Sequence, residues 1–218
     1  MKYFQSLPTI ATIDYVGNNI VLTNLMVRSE VIPSLLNNPL LFYPYDIQDG
    51  DTPEIIADKY YSDPYRYWIV LFANQILDPQ WQWPMNQNLF HDYIIDKYTA
   101  ATANALHISA NTVTPAQVMA YTQGTIENYI KTVTTIDSYQ QTPNTVVYII
   151  DSAAYANVPV NTLTTTVDGA VINQTTSKYT QSIYDYELQQ NEANRNINLV
   201  NSIYVAQFEK QFKSLMSQ

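Results

Sequence analysis

The chain has 218 residues, 46% hydrophobic and only 13% charged, with 10 basic and 19 acidic side chains for a formal net charge of −9. That balance argues against a nucleic-acid binder, which needs Lys and Arg to neutralise phosphates, and the lack of cysteine rules out a disulfide framework or a thiolate metal site. The length allows one sizeable domain or two small ones; charge at about half the usual fraction, with 19 Tyr, reads as surface to be covered by partners, where Tyr is enriched.

The first residues, MKYFQSLPTI, lack the basic-then-apolar pattern of a signal peptide, and no run approaches the roughly 20 apolar residues of a membrane span. The chain is therefore expected to be made and kept in a cytosol before joining its assembly. In residues 1–42, Lys2-Tyr3-Phe4 reads as a short extended piece. Ile20-Val21-Leu22 and Leu25-Met26-Val27 read as extended or short helical pieces joined by Thr23-Asn24. Val31 through Leu36 is apolar but interrupted by Pro33, and Asn37-Asn38-Pro39 is a turn.

Tyr43 to Pro79 carries the clearest pattern. An extended segment around Tyr45 and Ile47 leads to Asp49-Gly50-Asp51, where Gly supplies a positive φ. Thr52 stands as an N-cap, with Pro53 at the first helical position and Glu54 in the first turn. Ile55, Ile56, Ala57 and Tyr60 form the buried stripe, and Tyr61-Ser62 breaks the helix. Asp63-Pro64 repeats the start signal. Trp68, Leu71 and Phe72 then share one face of a second helix that Asn74 ends, and Asp78-Pro79 closes the unit.

Downstream, Trp81 and Trp83 are two apart, a strand or loop spacing that points both the same way. Such a pair could stack on a sugar ring; packing against protein is favoured, because Trp is usually well buried. Asn86 caps a helix through Leu89, Phe90, Tyr93 and Ile94. Residues 100–180 are Thr- and Asn-rich with almost no charge. Thr114-Pro115 starts a short helix that Gly124 ends. Strands are expected at Ile126 to Ile136, Thr145 to Ile150 and, more weakly, Val158-Pro159-Val160 and Leu163 to Val167. A hairpin at Asp168-Gly169 leads into Ala170-Val171-Ile172. This region is either a surface buried in an assembly or a solvated Thr-rich stretch.

In residues 181–218, Ile183 to Leu188 alternates like a strand, Asn191 to Asn196 is a polar connection, and Ile197 and Leu199 suit a returning strand. After the cap Asn201-Ser202, Tyr204, Val205, Phe208, Phe212, Leu215 and Met216 mark one face of a terminal helix, with Glu209 and Lys213 paired on its outer side. The expected fold is α+β: an N-terminal segment (1–42), a strand–helix–helix core with the Trp motif and a helix (43–99), a β-rich insert (100–180), and a strand arm with an amphipathic helix (181–218).

Catalytic patterns are sparse. His91 and His107 show no metal-ligand spacing, and four glycines leave little room for a phosphate cradle. His91 beside Asp92 reads as a surface residue. Asp49 and Asp51 suit turn and cap chemistry better than a glycosidase pair, which needs a second carboxylate in an apolar pocket.

Tyr45 and Ile47, Gly50-Asp51-Thr52, Ile56-Ala57, Tyr60 and Asn74 together resemble the LysM motif. The second half departs from it, because Leu77-Asp78-Pro79-Gln80-Trp81 stands where the motif has its closing Pro-Gly and final strand. Ser62-Asp63-Pro64, Tyr67-Trp68 and the Trp81-x-Trp83-Pro84 pattern are similar to one branch, the LysM-like baseplate wedge subunits of contractile-tailed bacteriophages. So is the tail running from Tyr186-Glu187 through Arg195 and Ile197 to Tyr204-Val205, Phe208 and Phe212. The resemblance covers roughly half the chain and implies a structural subunit that joins neighbouring wedge subunits during baseplate assembly. It implies no catalysis and no cofactor or metal. The partners would be other wedge and hub proteins in a multi-copy hetero-oligomer within the virion; nucleic acid, membrane and small-molecule ligands are not expected. Candidate partner-interface residues are Tyr45, Trp68, Trp81, Trp83, Tyr204, Phe208, Phe212 and Leu215. LysM likeness alone would imply a chitin- or peptidoglycan-binding module.

Overall fold

The computed structural model describes residues 3–27, 38, 40–139, 142–167 and 169–216. It is an α+β structure whose helices accompany three separate antiparallel sheets. The chain divides into two compact units: residues up to Asn86 together with those from Glu192 onward, and Gln87–Asn191.

In the first unit the Tyr43–Pro79 pattern folds in the expected order. Strand β3 (Phe42–Asp46) is followed by helices α1 (Pro53–Tyr61) and α2 (Tyr67–Ala73). Gly50 takes φ +89°, as the turn before α1 requires. Thr52 caps α1 by accepting from the Ile55 amide, and Ser62 ends it in a left-handed conformation, its N–H bonded to Asp58 O at 2.9 Å. Asp63 accepts from Tyr65 N at 3.0 Å and opens a single 3-10 turn that runs into α2. Ile56, Ala57 and Tyr61 are the buried positions of α1, whereas Ile55 is exposed. The expected stripe is therefore rotated: Tyr61 turns inward and donates its hydroxyl to Val200 O at 3.0 Å. α2 buries Ile69, Val70 and Ala73 as well as Trp68, while Leu71 and Phe72 are only partly covered. A short helix apolar on every side belongs inside, and α2 lies against both α1 and strand β8 (Asn196–Val200).

β8 is the returning strand read at Ile197 and Leu199, and its partner is β3. The two pair antiparallel from Phe42↔Val200 to Asp46↔Asn196. The ladder is extended by Ile47 N to Arg195 O (2.9 Å) and Asn201 N to Leu41 O (2.8 Å). Asn74, which ends α2, bonds the strand itself: its amide donates to Asn198 O at 2.9 Å and its Oδ1 accepts from Asn198 N at 2.7 Å. The strand that pairs with β3 thus comes from more than a hundred residues downstream of α2.

Terminal helix α8 (Val205–Met216) places Val205, Phe208, Phe212 and Met216 against this core. Glu209 is not on an outer side; its carboxylate is mostly covered and meets Arg66 Nε at 3.0 Å. Tyr3 begins a 3-10 turn (Tyr3–Ser6) rather than an extended piece, because its ring packs at 5.6 Å from Trp68 and 5.7 Å from Phe212. A hairpin of β1 (Thr9–Ile13) and β2 (Asn19–Thr23) leaves this core between Leu7, which is buried, and Val27, which packs against the cluster. The expectations for Val31–Leu36, Asn37 and Pro39 lie outside the described residues. Asp78-Pro79 opens a single-turn helix, α3 (Pro79–Gln82), with Asp78 accepting from Gln80 N. An acidic residue before proline is a helix start here, as at Asp63-Pro64.

The second unit begins with α4 (Gln87–Leu106), which runs through the expected boundary at residue 99 and buries Phe90, Ile94, Thr102 and Ala103. Helix α5 (Pro115–Gly124) carries a full Thr114/Gln117 capping box. Strands β4 (Ile126–Asp137), β5 (Asn144–Ile150), β6 (Asn161–Val167) and β7 (Ala170–Ser182) form an antiparallel sheet in the order β5-β4-β7-β6. Helix α6 (Ser152–Asn157), capped by Asp151, was not anticipated. Ile183–Leu188 is not a strand: α7 (Ile183–Ala193) is a helix whose buried residues Ile183, Glu187 and Asn191 fall at i, i+4 and i+8. Its start signal is Ser182-x-x-Asp185, with Ser182 Oγ accepting from Asp185 N. The expected boundary at 180 likewise falls inside β7.

Among the described residues, the buried core of the first unit contains none from 87–191, and Arg195 Nη2 lies 3.5 Å from Met85 O across the two ends of that stretch. Replacing residues 87–191 by a short Gly/Ser linker should leave a cooperatively unfolding protein with near-ultraviolet circular dichroism from Trp68; a molten product would contradict this. Asn74→Ala should cost about 1–3 kcal/mol in urea denaturation, because it strips both bonds from Asn198.

Candidate functional site

The Gly50 turn gathers the polar groups of the first unit. Asp51 is buried and its carboxylate accepts from Lys59 Nζ (2.6 Å), Tyr45 OH (2.7 Å) and Gln48 N (3.2 Å). Burial alone would raise the Asp51 carboxyl, but the Lys59 and Tyr45 hydrogen bonds, the Gln48 amide and the Lys59 charge outweigh it and hold the group below its ordinary value. Burial, followed by the bond to Asp51, pushes Tyr45 up to about 12. Trp83 Nε1–H donates to Asp51 O at 2.9 Å. Arg195 binds Asp49 at 2.9 Å, Glu192 at 2.6 Å and Ile47 O at 3.2 Å. The acids considered for chemistry are thus committed to the turn and to closing β3 on the segment leading into β8.

Among the described residues, the second unit holds one more buried carboxylate. Glu187 on α7 accepts from Tyr98 OH (2.6 Å), Lys97 Nζ (2.8 Å) and Tyr93 OH (3.1 Å), all from α4. Burial opposes ionisation, yet the Lys97 and Tyr98 bonds prevail and the Glu187 carboxyl is lowered. Burial pushes the Tyr98 hydroxyl up, reinforced by its bond to Glu187. These groups form a clamp between two helices: every oxygen of Glu187 has a donor.

The eight candidate interface residues separate into three sets. Trp68 and Phe212 are buried with ring centroids 4.7 Å apart; Phe208 lies 6.0 Å from Trp68, and Phe72 completes the cluster. These rings build the unit's own core. Tyr45 and Trp83 are partly buried and bonded to Asp51. Trp81 (71% exposed), Tyr204 and Leu215 remain on the surface. Trp81 and Trp83 do not point the same way, because Trp81 sits on the single turn of α3 and Trp83 lies just beyond its end.

Two larger exposed apolar surfaces lie outside the eight candidate interface residues. In the β1–β2 hairpin, Ile10 and Leu22 lie on one face, Ile13 and Val21 on the other, and Tyr15 at the tip is fully exposed. Asp14 holds the tip, accepting from Val16 N and Asn18 N. In the four-stranded sheet, β5 exposes Val146, Val147, Tyr148 and Ile149 along its length. A shallow hollow of about 420 Å³ on this sheet is lined by Lys131, Val133, Tyr148, Gln174 and Thr176. On the opposite face of the sheet, hydroxyl pairs Thr134–Thr145 and Thr162–Thr175 tie neighbouring strands.

His91 and Asp92 are 3.9 Å apart and exposed. Among the described residues no three His, Asp or Glu converge as metal ligands, and no helix is long and apolar enough to cross a membrane. Comparison with models of known protein families and with curated proteins finds no match.

Both buried carboxylates make stability fall in acid. Each binds its proton more weakly when folded than in the unfolded chain, so the unfolded state takes up more protons as pH drops. The contribution is complete above the unfolded values of 4.5 (Glu187) and 3.8 (Asp51) and is lost as pH falls through the lowered folded ones. Glu187→Gln should flatten the part of the urea-midpoint profile that begins below pH 4.5; an unchanged profile would show that the clamp is not ionised.

Proposed function

We propose that this protein is a structural subunit of a bacteriophage tail baseplate wedge, joining neighbouring wedge and hub proteins without catalytic turnover, cofactor or metal. Its place of work is the virion. The observation that carries the reading is the exposed apolar surface of the β1–β2 hairpin. An isolated two-stranded hairpin is at best marginally stable in water, yet this one carries apolar side chains on both faces and Asp14 as its single charge between Thr9 and Thr23. Such an arm gains its stability by docking on another subunit. The LysM-like order of β3, α1 and α2, with Asn74 bonded to a strand from the C-terminal segment, is consistent with the same branch.

The glycan-binding alternative is less well supported. The polar groups that a sugar would need on the Gly50 turn already have partners inside the chain: Ile47 O has Arg195, Asp51 O has Trp83, and the Asp51 carboxylate has Lys59 and Tyr45.

An affinity-tagged copy expressed during phage infection should co-purify with other tail subunits, and Ile13→Asp with Val21→Asp on the hairpin should reduce that recovery without unfolding the protein. Titration with chitin or peptidoglycan oligomers should show no binding. Millimolar or tighter sugar affinity, with no tail protein recovered, would reverse the reading.

A further inference from the structure

We propose that the free edge of β5 pairs with the same edge of a second copy of this chain. The two strands run antiparallel about a two-fold axis at Val147 and make one continuous eight-stranded sheet.

β5 ends the strand order, with β4 on one side and, among the described residues, no strand on the other. Protein edges are normally blunted by charge, proline or a bulge. β5 has none of these: Asn144–Ile150 contains no charged residue and no proline, and its register with β4 runs without a bulge. Val147 is 55% and Ile149 70% exposed.

The occupant follows from self-complementarity and charge. On a two-fold axis at Val147, that residue meets its own copy, Val146 lies opposite Tyr148, and Thr145 opposite Ile149. β-branched and aromatic cross-strand pairs of this kind stabilise sheets. Two chains of net charge −9 repel one another, and the segment from Thr142 to Ile150 offers an approach with no like charges. The opposite edge, β6, is largely threonine. Pairing β5 with β6 would set apolar residues against hydroxyls and build an open chain of subunits, whereas β5 with β5 closes. The ladder is short: seven residues span about 24 Å, so the contact falls below the roughly 800 Å² per partner of a standard complex. The affinity expected is micromolar.

Sedimentation velocity of the whole chain from about 1 to about 200 μM spans that range and should show monomer passing to dimer. Val147→Lys, and separately Val147→Glu, should each abolish the dimer, since like charges then face one another. An equimolar mixture of the two variants should restore it. Val167→Lys on β6 should leave it intact. Far-ultraviolet circular dichroism reports that each variant is folded, as expected for an exposed position. A chain that is monomeric throughout, a dimer that survives Val147→Lys, a mixture that fails to associate, or growth beyond the dimer would overturn the inference. None of these outcomes bears on the baseplate reading, which rests on the hairpin and on other partners.

Discussion

The pairing of β3 with β8 is the constraint on which the first unit depends. It joins residues near position 45 to residues near 197, so α1 and α2 have no sheet to pack on until the C-terminal segment arrives. Asn74 reinforces the closure by acting as a strand partner with both ends of its amide. Tyr61 and Arg195 add bonds at the two ends of the ladder, to Val200 O and Ile47 O. Loop-closure entropy grows only slowly with length. Inserting a compact unit of about a hundred residues between α3 and β8 therefore adds little to the cost of closing a shorter loop.

Charge is scarce, and much of it is used as internal linkage. Arg66 ties the α1–α2 turn to α8 through Glu209, with Tyr61 O as a further acceptor. Lys59 neutralises Asp51 beneath the Gly50 turn, and Lys97 neutralises Glu187 between α4 and α7. A buried carboxylate left without such partners would be costly; here each is satisfied by a cation and at least one tyrosine hydroxyl. This accounts for some of the tyrosine content without any appeal to partners. Tyr45, Tyr93 and Tyr98 are internal donors, and Tyr61 donates to the strand.

The surface of the four-stranded sheet is mostly apolar or hydroxyl-rich. The distal part of the four-stranded sheet is exposed on both faces, with threonine pairs standing in for a second packed layer. Such a sheet keeps its strands aligned but leaves edges that another chain can extend. Low charge and high β-propensity make the same surface prone to aggregation in a free chain.

Local signals were legible in the sequence wherever one residue's chemistry sets one backbone event. Thr52-Pro53, Asp63-Pro64 and Thr114-Pro115 each begin a helical segment, Gly50 and Gly169 sit at turns with positive φ, and Val-, Ile- and Thr-rich runs became β4, β5 and β6. The spacing of Val205, Phe208 and Phe212 marked a helix face, but not what it would face. Trp68, Phe208 and Phe212 turned out to pack on one another because α2 and α8 meet in space, a fact no local window contains. Ile183–Leu188 misled because aromatic and acidic residues alternate there, while burial follows Ile183, Glu187 and Asn191 around a helix. Sequence alone determined where segments start, turn and stop, since caps, glycines and prolines act over a few residues. Tertiary structure alone decided which strand completes β3, which aromatics are core and which edges stay open, because those depend on contacts between residues far apart in the chain.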